Sequence, residues 1–142
     1  LTRYFEAQLA FSKADYARAR ELLQPMARAL PNHVGILHLA GATEYRLGAM
    51  AQAETMLAKV VQLAPGFAAA RRTLAQVYLQ QRQPSKAQSV LKPILETDMA
   101  DAESMSLMAQ ASALAISTLP TPWPLPAGAT MRSEMWHCFP LK

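Results

Sequence analysis

The stretch LHLAGATEYRLGAMAQAETMLAKVVQLAP, residues 37–65, contains two helical patterns separated by a turn signal. Its first half places small or apolar residues and one acid at the spacing of one helical face: Leu37, Ala40, Gly41 and Glu44. Its second half carries one apolar stripe: Ala53, Met56, Leu57, Val60 and Val61. Gly48 is typical of the left-handed residue that ends a helix, and Pro65 stops the second helix. The stretch therefore predicts two helices of about 13 residues packed as an antiparallel hairpin.

The same unit recurs along the first four fifths of the chain with a period of 34 residues. Three sets of equivalent positions show the period: Pro31 and Pro65; Ala19, Ala53 and Ala87; Leu23, Leu57 and Leu91. This period with these residue types resembles the tetratricopeptide repeat (TPR) family. The resemblance implies an all-α fold, a right-handed TPR-type superhelix of antiparallel helix hairpins.

The period divides the chain into an array at 1–114 and a tail at 115–142. The array consists of units at about 1–33, 34–67 and 68–101 and a capping helix at 102–114. Pro25 and Pro93 occupy equivalent places inside second helices, where each is expected to bend the axis.

The capping helix is expected to cover the last complete repeat. One of its faces carries Met105, Met108, Ala109 and Ser112.

The tail differs in composition from the array. It holds Pro120, Pro122, Pro124 and Pro126, which favour an extended, polyproline-like chain. Three interpretations stay open: a linker or flexible tail, an extended segment that docks on a groove, or an end that arises from a shift of reading frame.

Length and composition suit a single globular domain. The 142 residues are 51% hydrophobic and 17% charged, and no run approaches the roughly 18 apolar residues that a membrane span needs. Residues 1–95 carry twelve Lys/Arg and five Asp/Glu, whereas residues 96–142 carry two and five. Because the basic residues form no dense stripe with interleaved aromatics, nucleic-acid binding is not expected. The single cysteine excludes an internal disulfide.

Nothing in the sequence predicts catalysis. His33 and His38 are five residues apart, a poor spacing for one helix face, and no carboxylate pair or Cys/His cluster supports them. His137 and Cys138 are adjacent, which fits either an adventitious metal or redox pair or an ordinary tail. There is no glycine-rich phosphate loop. We expect a non-enzyme with no catalytic residue, cofactor or metal site.

The TPR resemblance implies a concave surface, lined by the first helix of each hairpin, that binds extended peptides or partner helices. The residues expected on it are Tyr4, Gln8 and Phe11; His38, Tyr45 and Arg46; Arg72, Gln76, Leu79 and Gln80; and Gln110, with Leu114 extending the row. Tyr, Arg and Gln combine contact area with hydrogen bonding. The alternatives are a solvated face and a packing surface between chains.

Chaperone-binding TPR domains hold a C-terminal carboxylate with lysine, asparagine and arginine residues from three repeats. At the matching places this chain has Tyr4, Gln8, Ala42, Arg72 and Gln76. Only Arg72 keeps the charge, so a carboxylate clamp is not expected.

Three phrases, LAGATEYRLGAMAQAE, LAPGFAAARRTLAQVYL and PSKAQSVLKPIL, resemble the TPR lipoprotein of the bacterial PEP-CTERM/exosortase system, which accompanies exopolysaccharide gene clusters. The likeness covers residues 34–114, and the tail departs from it. It implies a fragment of a longer bacterial protein, as the start at Leu1 also suggests, periplasmic and lipid-anchored upstream.

These observations lead to one main functional hypothesis and two alternatives. We expect a protein-interaction scaffold whose concave groove binds a protein or peptide. One alternative is a structural fragment that self-associates, for example as a homodimer, through its unfinished last helix. The other is binding of an anionic polysaccharide along Arg46, Arg71 and Arg72.

Overall fold

The computed structural model describes residues 2–97 and 101–118, which form seven α-helices and no strand. Each helix packs against the next one in the chain. This arrangement confirms the predicted all-α superhelix of helix hairpins. The helices are α1 (Thr2–Ser12), α2 (Tyr16–Ala29), α3 (Val34–Arg46), α4 (Met50–Leu63), α5 (Ala68–Gln80), α6 (Pro84–Leu95) and α7 (Ala102–Thr118).

The final helix is longer than predicted, because α7 continues four residues beyond the expected end at 114. Residues 119–142 lie outside the described part of the chain, and with them nearly all of the predicted tail. The two internal prolines do not end their helices, since α2 continues past Pro25 and α6 past Pro93.

The turn inside each hairpin has the same backbone geometry in all three repeats. A residue with positive φ lies at the same phase each time: Ala14 (62°), Gly48 (83°) and Arg82 (57°). The next amide in each turn donates to a carbonyl five residues back, with distances of 2.8–2.9 Å, as in a Schellman motif. The left-handed conformation predicted for Gly48 is confirmed. Ala14 and Arg82 adopt it despite their Cβ atoms, because the turn demands that geometry.

The two helices of a hairpin approach closely at small residues. Five alanines at these contacts are fully buried: Ala7 and Ala75 in first helices, and Ala19, Ala53 and Ala87 in second helices. Gly41 holds the equivalent place in α3, and a Cβ added there would lie 2.7 Å from Leu57 Cγ. Leucines at one phase of the second helices fill the remaining space: Leu23, Leu57 and Leu91, each at most 1% exposed.

Polar side chains join successive repeats at one recurring position. Arg20 of α2 forms an ion pair with Glu44 of α3, at 2.9 Å between Nε and Oε1. One period later Glu54 accepts a hydrogen bond from Tyr78. A further period later Gln88 Nε2 donates to Ser112 Oγ at 3.3 Å. Each joint links a second helix to the first helix of the next repeat with a different chemical pair.

The contact between Glu54 and Tyr78 also changes the pKa of the Tyr78 phenol. Burial, the charge of Glu54 and the hydrogen bond to its carboxylate all raise the pKa of Tyr78 above its ordinary value. Tyr78 therefore stays neutral and remains a donor across the physiological range of pH.

The residues of α7 that pack on the third repeat coincide only in part with Met105, Met108, Ala109 and Ser112. Met108 packs against the buried cluster, and Ser112 accepts from Gln88. The buried residues are Ser104, Leu107 and Ala111, whereas Met105 is 54% exposed and Ala109 is also exposed. The period explains the difference. Met105 and Ala109 are equivalent to Leu37 and Gly41, which in the second repeat face the second helix of their own hairpin. No described residue supplies that second helix for α7.

The first joint allows a stability prediction. Arg20→Leu leaves the carboxylate of Glu44, whose side chain is 5% exposed, without its cation. We expect the free energy of unfolding to fall by about 3 kcal/mol, the lower end for a broken buried pair, because Arg20 itself is partly exposed. Adding Glu44→Leu removes the uncompensated charge and should restore most of the loss. Urea denaturation of the four proteins of this double-mutant cycle measures both effects.

The matched control for this cycle is Arg18→Ala. It removes an ion pair with Glu21 whose side chains are 59% and 69% exposed, and it should cost less than about 1 kcal/mol. An Arg20→Leu protein no less stable than this control would contradict the assigned role of the joint.

Candidate functional site

The first helices of successive repeats form the walls of a groove of about 280 Å³. Six of the residues expected on the concave surface lie together here: Phe11, His38, Tyr45, Arg46, Arg72 and Gln76. The groove is lined in addition by Ala42, Ala69, Thr73 and Glu103. The surface mixes aromatic rings, small residues and charges of both signs.

His38 is a half-buried polar group of the groove. Its ring packs edge-on against Phe67 with centroids 5.0 Å apart. Burial lowers the pKa of His38 below 6.5, because the charged imidazolium loses solvation there. At neutral pH the groove therefore holds a neutral imidazole that can donate or accept one hydrogen bond.

Arg72 is not available as a free cation. It pairs with Asp101 and, at 3.4 Å from Nε to Oε2, with Glu103. Asp101 also caps α7, since its Oδ1 accepts from the Ser104 amide at 2.9 Å. Hydrogen bonding to Ser104, and then the charge of Arg72, lowers the pKa of Asp101. These contacts fasten the start of α7 to α5 and largely cancel the charge of Arg72.

Arg46 contributes the accessible positive charge of the groove. Its side chain is exposed at the end of α3 and makes no hydrogen bond or ion pair with any described residue. An acidic group in the groove would therefore meet Arg46 rather than Arg72.

The remaining expected residues separate into two places. Leu79, Gln80, Gln110 and Leu114 line a second hollow of about 350 Å³, together with Arg82. Tyr4 and Gln8 line neither hollow, and Gln8 Nε2 lies 3.5 Å from Tyr4 Oη on the surface of α1. The row of residues expected from the sequence is thus divided between two hollows and the first helix.

The three arginines expected to bind a polysaccharide do not share one surface. Arg71 points away from the groove and donates to the carbonyls of Pro65, at 2.6 Å, and Val90, at 3.1 Å. It borders a separate, largely apolar cleft with Pro93 and Ile94. Because Arg71 is held by backbone and Arg72 by two acids, the structure offers no continuous basic track there.

Two residue roles in this region were not apparent from the sequence. Glu103 lines the groove because α7 packs beside α5, and its negative charge has no counterpart at the equivalent residue Ala69. His33 is the N-cap of α3, since its Nδ1 accepts from the Ile36 amide at 3.3 Å. A side-chain acceptor directly before an apolar helix was the available signal for the cap.

Within residues 2–97 and 101–118, no three His, Cys, Asp or Glu residues cluster as metal ligands would. None of their helices combines the length and apolarity required to span a bilayer. The His137–Cys138 pair lies outside the described residues.

Sequence comparison identifies the repeats independently. Residues 44–111 match the family model described as "Tetratricopeptide repeat". No curated protein matches the sequence significantly.

Solved structures with similar folds include two TPR domains in complexes. The first TPR domain of Spaghetti (RPAP3), bound to the HSP90 peptide SRMEEVD, is 17% identical with a TM-score of 0.76, over 83% of this chain and 93% of that one. The TPR2B domain of yeast Sti1, in a complex with pHsp70, is 20% identical with a TM-score of 0.68, over 80% and 98%. At these identities the similarity shows the fold.

A bacterial protein has a comparable similarity. MamA from Desulfovibrio magneticus RS-1 is 24% identical with a TM-score of 0.73, over 82% of this chain and 66% of that one.

The enclosure of His38 predicts how stability depends on pH. Its folded-state pKa is lowered, so below about pH 6.5 the unfolded chain binds a proton that the folded chain resists. Stability is therefore lost as pH falls from about 6.5 towards the folded pKa. The slope from this residue is at most about 1.4 kcal/mol per pH unit, the limit for one proton, and is smaller because the ring is partly solvated. Urea denaturation between pH 7.5 and 5 should show a flatter dependence for His38→Gln.

His33→Asn is the matched control, because asparagine keeps an acceptor at the N-cap of α3 while removing the other described imidazole. If this variant flattened the pH dependence and His38→Gln did not, the assignment to His38 would be wrong.

Proposed function

Because the chain is a tetratricopeptide repeat protein, we propose that it is a non-enzymatic scaffold whose concave groove binds an extended peptide of a partner protein. The observation that carries the proposal is the convergence of Phe11, His38, Tyr45 and Arg46 on one groove built from successive first helices. The fold neighbours in complexes with an HSP90 peptide and with pHsp70 support this use of the fold.

The groove chemistry indicates the kind of peptide. Aromatic rings from two repeats suit one large apolar or aromatic side chain, and Gln76 suits a backbone amide of an extended chain. Arg46 suits one acidic side chain, since it lies exposed at the rim without an internal partner. We therefore expect a mildly acidic peptide with an aromatic anchor.

A clamp for a C-terminal carboxylate fits this groove poorly. Tyr4 and Gln8 lie outside it, Ala42 offers no polar group, and Arg72 is already paired with Asp101 and Glu103. The peptide SRMEEVD should consequently bind at least tenfold more weakly than a peptide selected against this groove.

Peptide selection followed by charge reversal tests the groove. Decamers selected from a random library on the full chain should lose at least tenfold in affinity with Arg46→Glu, about 1.4 kcal/mol, because the exposed cation contacts their acidic residue. Fluorescence anisotropy at fixed ionic strength measures the dissociation constants.

Arg28→Glu is the matched control. It makes the same change of charge at an exposed arginine in the last turn of α2, which lines neither hollow. Equal losses for Arg46→Glu and Arg28→Glu would mean attraction by net charge alone, and the groove assignment would fail.

The resemblance of residues 34–114 to the TPR lipoprotein of the PEP-CTERM/exosortase system supports a narrower form of the proposal, in which the partner belongs to bacterial exopolysaccharide or protein-sorting machinery. Cell fractionation of the native host should then recover the protein with the periplasmic membrane fraction, together with exosortase-system proteins on co-immunoprecipitation. Recovery in the cytosolic fraction would contradict this narrower form and leave the groove unaffected.

A further inference from the structure

The second hollow, between α5 and α7, lies at the same phase of the repeat as the groove beside it. Three of the residues that line it lie one period after residues of the groove: Leu79 after Tyr45, Gln80 after Arg46, and Gln110 after Gln76. The first helices α3, α5 and α7 also contact one another in succession. The groove and the second hollow are therefore adjacent parts of one concave surface.

The second hollow has an accessible cation of its own, Arg82, in the turn after α5. The side chain of Arg82 is exposed and makes no hydrogen bond or ion pair with any described residue. None of the described residues that line this hollow is acidic. At the phase that Arg46 occupies in the groove, the second hollow has the neutral Gln80, so its positive charge comes from a residue two positions later. Each of the two hollows thus presents one positive charge that no described acid neutralises.

The other side chains of the second hollow suit a stretch of extended peptide. Leu79 and Leu114 are half-buried and offer apolar contact. Gln80 is exposed, and its amide can donate to and accept from a peptide backbone. Gln110 Nε2 donates to Ser106 Oγ at 3.3 Å, which leaves the carbonyl oxygen of Gln110 as an acceptor. Apolar contact, amide groups and one cation are the same combination that the groove offers.

Given the proposed function, on which this extension rests, we propose that the bound peptide continues from the groove into the second hollow and carries two acidic residues about three positions apart, one against Arg46 and the other against Arg82. Packed neighbouring helices lie about 10 Å apart, so the peptide travels about that distance from one first helix to the next. An extended chain rises about 3.1–3.4 Å per residue, and three residues therefore span one repeat.

Peptide selection on the full chain, followed by a double-mutant cycle, tests this charge pattern. The selected decamers should carry two Asp or Glu residues about three positions apart. Each acid is replaced by its amide in the peptide, and Arg46 or Arg82 by glutamine in the protein, so that the coupling assigns each acid to one cation. Arg82→Gln should weaken binding of the doubly acidic peptide about threefold, as expected for an exposed ion pair, and leave the peptide without the second acid unaffected. Fluorescence anisotropy measures the dissociation constants.

Two control variants separate the charge of Arg82 from other effects. Arg82→Lys keeps the charge, so it should retain most of the affinity for the doubly acidic peptide, whereas a disturbed turn would not be rescued. Arg28→Gln removes an exposed arginine that lines neither hollow, and it should leave the binding of both peptides unchanged.

The outcomes distinguish this extension from the proposed function. Selected peptides that depend on Arg46 but have no second acid, or whose second acid shows no coupling to Arg82, would overturn the extension and leave the groove assignment standing. Peptides that are insensitive to Arg46 as well would contradict the proposed function itself. Tighter binding by the Arg82→Gln protein would mean that an acidic group of the chain itself already occupies Arg82, which would also overturn the extension.

Discussion

The structure depends on the close approach of two helices at a pair of small residues twelve positions apart. The pair is Ala7 with Ala19 in the first repeat, Gly41 with Ala53 in the second and Ala75 with Ala87 in the third. A larger side chain at such a position has no room, as the 2.7 Å distance between a Cβ at Gly41 and Leu57 shows. Close contact at these positions lets one leucine per second helix fill the core, and it keeps the first helices on one side of the array.

Apolar packing of this kind repeats every 34 residues and therefore specifies little about which repeat follows which. The polar joints differ from one another, as an ion pair, a carboxylate with a phenol, and an amide with a hydroxyl. Exchanging two repeats would leave Glu44 buried without Arg20. Such a group is expensive to bury unpaired, whereas the intact pair adds little net stability. The polar joints thus favour one order of repeats, because any other order would bury a charged group without its partner.

The sequence predicted those features that the period itself encodes. The hairpins and the left-handed turn at Gly48 follow from spacing and turn residues, because each depends on contacts within one repeat or between neighbours. The TPR resemblance implied that Arg46, His38 and Phe11 lie on the concave surface, and the structure brings them into one groove.

Side-chain contacts that occur in only one repeat could not be predicted from the 34-residue period. Adjacent residues on a helix point about 100° apart, so Arg71 reaches the backbone of Pro65 while Arg72 reaches into the groove. The partners of Arg72 lie at the start of α7, and the residues one period before Asp101 and Glu103 are the uncharged Phe67 and Ala69, so the repeat pattern does not predict these ion pairs. The exposure of Met105 and Ala109 has a related reason, because their equivalents Leu37 and Gly41 face a second helix that no described residue supplies for α7.

The ion pairs of Arg72 serve the fold and the groove at the same time, because they fasten the start of α7 to α5 and also set the charge of the groove. An acidic peptide that took Arg72 from Asp101 would loosen the start of α7. A groove whose accessible cation is Arg46 can bind an acidic side chain without that loss of stability.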